Sequence, residues 1–125
     1  MTLNNLVGFQ LVKIDDKEIV IGRGKERYTL HLHEDYGDCC GYNDIAVELF
    51  VSDFCLERNP VITSVEVITT EGDDDGQKCK ITFFGEVNTL AKLETYSSSG
   101  SGWCYGACVS IVCDELEIDE VLSQW

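Results

Sequence analysis

Apolar residues along this chain recur at every second position far more often than at helical spacing. Residues 8–14 and 18–22 are two apolar runs around the polar triplet Asp15-Asp16-Lys17, which predicts a hairpin. In the first run Phe9, Leu11 and Lys13 are expected to alternate against Gln10, Val12 and Ile14. A turn at Gly22-Arg23-Gly24-Lys25-Glu26 follows, because glycine takes positive φ without a steric cost. Residues 27–33 then place Tyr28, Leu30 and Leu32 on one face and Thr29, His31 and His33 on the other, so the first three strands read as a meander.

The same period continues downstream. Ile45, Val47, Leu49 and Val51 alternate as in a strand, and residues 61–70 are dense in Val, Ile and Thr. Residues 52–59 offer only Phe54, Cys55 and Leu56 and fit no template, and Pro60 ends whatever precedes it. Residues 79–87 and 91–96 predict a strand pair joined near Asn88, and residues 103–113 a last strand. The tail, 114–125, reads either as an extension of that strand or as a short amphipathic helix from about Asp119. The expected architecture is therefore mainly β. It is a single domain over residues 1–125, with about eight short, mostly antiparallel strands in a sandwich or strongly curved sheet and at most one short helix.

Composition narrows the function. Twenty-three acids against nine bases give a formal charge of −14 and a pI near 4.2. Such a charge repels phosphate backbones, so direct nucleic-acid binding is not expected, whereas a partner protein with a basic surface is. No basic stretch leads into an apolar run at the start, and no apolar run reaches the roughly 18 residues that span a bilayer. A cytoplasmic location in the host cell, away from membranes, is the expectation. Seven cysteines are an odd number, which argues for thiols rather than a disulfide framework in that compartment.

One stretch concentrates candidate chemistry: His31-Leu32-His33-Glu34-Asp35-Tyr36-Gly37-Asp38-Cys39-Cys40-Gly41-Tyr42-Asn43-Asp44. Thiolate and imidazole are the ligands zinc prefers, and His33, Cys39, Cys40, Cys104 and Cys108 form a conceivable zinc set. No CxxC pair anchors that set, and no cofactor is expected; the alternative reading is cysteines in the core and histidines on a solvated face. A cysteine nucleophile at Cys39 or Cys40 would need His31 or His33 as base, oriented by Asp35 or Asp38. The surrounding carboxylates oppose it by raising a thiol pKa. Asp15, Asp16, Asp35 and Asp38 read as turn residues rather than paired catalytic acids.

Elsewhere, Asp73-Asp74-Asp75 lacks the ligand spacing of a calcium loop. Likewise Ser97-Ser98-Ser99-Gly100-Ser101-Gly102 lacks the lysine of a phosphate loop and reads as a flexible connection.

Five pieces together resemble a family of small, uncharacterised domains found in phage genomes. They are Tyr28-Thr29-Leu30-His31-Leu32-His33, Asp38-Cys39-Cys40-Gly41, Asn59-Pro60-Val61-Ile62, Ile81-Thr82-Phe83-Phe84 and Gly102-Trp103-Cys104-Tyr105-Gly106. The resemblance spans about residues 6–112, with Asp-Cys-Cys its most specific part. It implies a phage or prophage origin and transfers no catalytic residue. The expectation is a non-enzymatic module that binds a host protein, with Tyr42, Trp103 and Tyr105 as candidate anchors. The alternative is a small metal- or ligand-binding domain centred on the 31–40 segment.

Overall fold

A computed structural model describes residues 3–36, 42–50, 60–71, 76–98 and 107–124. Among the described residues nine strands pair into two antiparallel sheets. They are β1 (Gln10–Ile14), β2 (Glu18–Arg23), β3 (Glu26–Tyr36), β4 (Tyr42–Leu49), β5 (Ser64–Glu71), β6 (Gly76–Phe84), β7 (Thr89–Ser98), β8 (Ala107–Cys113) and β9 (Ile118–Gln124). Sheet A has the order β1-β2-β3-β8-β9 and sheet B the order β4-β7-β6-β5. A 3-10 turn, Leu3–Leu6, precedes β1 and packs beside β5.

Alternation explains the layering. β8 reads buried and half-buried by turns, with Ala107, Val109, Ile111 and Cys113 inward. In β6 and β7 the inward positions are Cys79, Ile81 and Phe83, and Ala91, Leu93, Thr95 and Ser97. Leu11, Ile19, Ile21 and Leu30 supply the matching face of sheet A, and Leu6 and Ile62 fill the space beside them. At roughly 1.5–3 kcal/mol for each fully buried aliphatic or aromatic side chain, this inter-sheet layer is the main favourable term in folding.

Two departures from the sequence pattern have local causes. In β1 it is Ile14 that packs against the core, while Lys13 is exposed and bonds Glu18 at 3.1 Å. The pairing with β2 shifts register between Leu11 and Lys13, and that extra residue reverses the side-chain alternation. The tail is neither a helix nor a continuation of β8. Glu117 adopts φ 54° and its N–H bonds the Asp114 carbonyl at 3.1 Å, so the chain reverses and returns as β9 alongside β8.

The β1–β2 turn is organised by Asp15, whose Oδ1 accepts from the N–H groups of Lys17 (2.8 Å) and Glu18 (2.9 Å). Those two backbone donors hold its carboxyl below the usual carboxylate range, with Lys13 adding a smaller effect. At the next turn, Gly24 takes φ 63° between Arg23 and Glu26, which are paired across the hairpin. Near it the Arg23 guanidinium lies 4.1 Å from the centroid of the Phe9 ring, itself edge-on to Tyr28.

Among the described residues Phe83 is the largest fully buried side chain, near the end of β6, an inner strand of sheet B. Phe83→Ala is expected to cost about 3–5 kcal/mol in urea unfolding. Val87→Ala, at a position 89% exposed, should stay within about 0.5 kcal/mol.

Candidate functional site

The strand ends converge at one end of the sandwich. Tyr36 pairs with Ala107, Tyr42 with Ser98, Gly76 with Ser98, and Cys108 with Gln124. The connections 37–41, 72–75 and 99–106 therefore all leave from this end. The first of them carries the chain from sheet A to sheet B, since β3 and β4 belong to different sheets.

At this end the apolar layer gives way to small polar side chains. Thr95 and Ser97 are at 1% and 0% exposure on β7, Ser123 at 0% on β9, and Asn43 at 7% on β4. Asn43 Nδ2 donates to the Asp35 carbonyl at 2.8 Å, and Ser97 Oγ donates to Asn43 Oδ1 at 2.7 Å. Ser97 has then used its only proton, so the 2.8 Å contact with Ser123 Oγ must run from Ser123 to Ser97. Ser123 in turn accepts from Thr95 Oγ1 at 3.0 Å. A single proton order thus satisfies the chain Thr95→Ser123→Ser97→Asn43→Asp35, which passes between the sheets three times. Among the described residues no buried side-chain polar atom lacks a partner. At the rim, the Gln124 N–H donates to Gln77 Oε1 at 3.0 Å. Nearby, the Tyr96 ring lies over Gly76 so closely that an added Cβ there would collide with it.

The relay fixes where the candidate ligands begin. Asn43 and Asp35 flank the 37–41 segment and are bonded to each other, so the relay pins both ends of that connection. Its inner members Ser97 and Ser123 lie just before the 99–106 connection and at the end of β9. Ser97 and Ser98 are thus the buried end of β7 and not part of a flexible linker. The cause is register: Ala91, Leu93, Thr95 and Ser97 continue one inward row, and small hydroxyls occupy it where the sheets need hydrogen bonds across the gap.

His33 lies in β3 and is exposed; Cys108 lies in β8 and is half-buried. His33 pairs with Ser110 and Asp35 with Cys108, so His31, His33 and Asp35 share the outer face of sheet A with Cys108 and Ser110. Cys39, Cys40, Trp103, Cys104 and Tyr105 lie outside the described residues, and of Tyr42 only the backbone is described, as the first residue of β4. Among the described residues no three His, Cys, Asp or Glu side chains are gathered as a metal site. The other described thiols, Cys79 and Cys113, are buried, and burial pushes both upward from the ordinary thiol value. Cys113 Sγ also donates to Glu115 Oε2 at 3.3 Å. Neither thiol is poised as a nucleophile.

Comparison of the chain with family models, with curated proteins and with solved structures gave no match in any of the three. Among the described residues, no helix is long and apolar enough to cross a membrane.

Asn43→Ala would remove the acceptor of the Ser97 hydroxyl and the amide that donates to the Asp35 carbonyl. A loss of about 1–3 kcal/mol is expected in urea unfolding. Amide exchange at residues 35 and 43 should quicken while the β1–β2 hairpin keeps its protection. An unchanged midpoint would mean that the relay carries no stability.

Proposed function

We propose that this chain is a small acidic phage- or prophage-type module, not an enzyme, that works by binding a basic surface on a host protein. The observation carrying this reading is the segregation of charge. Through residue 30 the chain is nearly balanced, with Lys13, Lys17, Arg23, Lys25 and Arg27 against Asp15, Asp16, Glu18 and Glu26. Beyond that point stand Arg58, Lys78, Lys80 and Lys92 against nineteen acids, and no cation follows Lys92.

In the fold, the balanced part is the β1–β2 flank of sheet A and the start of β3. The excess acid belongs to the rest of the molecule. The β8–β9 hairpin alone carries Asp114, Glu115, Glu117, Asp119 and Glu120. Lys13 and Lys78 are already engaged, with Asp15 and Glu18 and with Glu94. An acidic surface of this kind steers a basic partner toward one side and repels nucleic acid. The resemblance to phage-associated domains supports the origin, and the relay supports the reading by giving the connections at one end a rigid base.

Affinity capture from bacterial host lysate tests this directly. A basic partner should be retained near 50 mM salt and largely lost by about 300 mM, as expected when the Debye length shrinks below roughly 10 Å. Replacing Asp114, Asp119 and Glu120 together by lysine should slow association more than it speeds dissociation. Salt-independent retention, or no partner at low salt, would remove the reading.

A second reading has one observation in its favour. His33 and Cys108 share a face of adjacent strands, with Asp35 directly opposite Cys108. The alternative is therefore a zinc site completed by thiols of the 37–41 or 99–106 connections. It predicts about one zinc per chain in untagged protein, lowered by His33→Ala and by Cys108→Ala. Metal-free protein with an unchanged unfolding midpoint would exclude it.

A further inference from the structure

The edges of the two sheets are not alike. β1 is covered, because Gly8 and Leu11 donate to the carbonyls of Ile62 and Pro60 and the Ile62 N–H donates to Phe9, each at 2.8 Å. β9 is interrupted by a register shift opposite Val109 and Ser110 and carries Asp119 and Glu120. In β4 the exposed positions include Asp44, Ala46 and Glu48, while Ile45 and Val47 turn toward the core. Bulges, charges and covering segments are the usual protections of a sheet edge.

β5 differs from all three. Its ladder to β6 runs from Ser64 to Glu71 without a shift, and among the described residues no strand pairs with its other side, where backbone donors and acceptors are regularly spaced. At its middle both faces are exposed. Val67 lies on the core-side face opposite Ile81, and Ile68 on the outer face opposite Lys80, yet each is 46% exposed. β9 packs over β6 and β7, and beyond β6 the main neighbour of β5 is the 3-10 turn. Sheet B therefore overhangs sheet A along β5.

We infer that β5 is the docking edge, and that its occupant is an extended, lysine- or arginine-bearing strand of the partner protein, added antiparallel or parallel to sheet B. The inference rests on the binding reading above and specifies its contact. On the core side the added strand would cover Val65, Val67 and Thr69 with aliphatic side chains. On the outer side it would set a cation opposite Glu66 and uncharged residues opposite Ile68 and Thr70, whose β6 neighbours are Lys80 and Lys78. Charge selects this occupant over a second copy, because two chains of −14 repel as they approach.

The test uses the full chain and a blocked valine–threonine octapeptide with two lysines on one face, beside a twin with glutamates in their place. The lysine peptide should slow hydrogen exchange of the amides at 65–70 by about tenfold, and the glutamate twin should not. Ile68→Lys and Val67→Lys, both at exposed positions, should abolish that protection while leaving the circular dichroism unchanged. No protection, or protection at β4 or β9 instead, overturns the inference. So does protection of β5 without peptide that grows with protein concentration and coincides with a dimer mass. Equal salt-sensitive capture of one host protein by wild type and Ile68→Lys would overturn the β5 contact and leave the binding function standing. No capture by either chain removes both.

Discussion

Two β-sheets packed face to face are normally joined by apolar side chains alone, and over most of this protein they are. At one end the joining is done by hydrogen bonds instead, through Thr95, Ser123, Ser97, Asn43 and the Asp35 carbonyl. Buried hydroxyls and an amide are costly unless each is satisfied, and the cost falls on the whole set when one member is lost. In return the set is directional. Apolar contacts tolerate a slide of one sheet over the other, but this relay requires β3, β4, β7 and β9 to keep one register. The connections that leave from those strands start from fixed positions as a result.

That rigidity bears on the charge. A chain at −14 is pushed outward by its own surface, and the acids are unevenly placed, with the β1–β2 flank nearly balanced. The core resists this repulsion with Phe83, Ile81, Leu93 and Ile111, whose side chains carry no polar atom. At the relay end the same task falls to hydrogen bonds, which are strengthened by the low local dielectric. The electrostatic asymmetry is then held in a fixed orientation, as a steering surface requires.

Strand identity was legible because side-chain alternation is a direct consequence of the pleat. Leu30 buried, Tyr28 and Leu32 half-buried, and His31 and His33 exposed follow from period two alone. What alternation does not encode is pairing. Nothing in the residues near Tyr36 or Tyr42 signals that the chain changes sheets there, since either side of the crossing has the same local pattern. The bulge at Val12 was equally hidden, and it exchanged the roles of Lys13 and Ile14. The relay was legible only in part. Asn43 belongs to the ligand-rich stretch, but Ser97 resembles linker and Ser123 sits in an acidic tail. The usable signal was that Thr95 and Ser97 continue the inward row of Ala91 and Leu93.

The open edge of β5 follows from the same geometry. Sheet A bends its chain into β9 above β6 and β7, and the segment 60–62 closes the far edge of β1 before the chain enters sheet B at β5. A segment shared in this way must leave one sheet to join the other, and where it joins it becomes the overhang. An overhanging strand with Val67 and Ile68 both exposed would invite like copies to pair in a neutral protein. The charge of −14 opposes the pairing of β5 with its own kind and would not oppose a basic strand. Under the proposed binding role, acidity and an unguarded edge would be two halves of one selectivity: long-range repulsion would decide which chains reach β5, and the regular ladder would bond those that do.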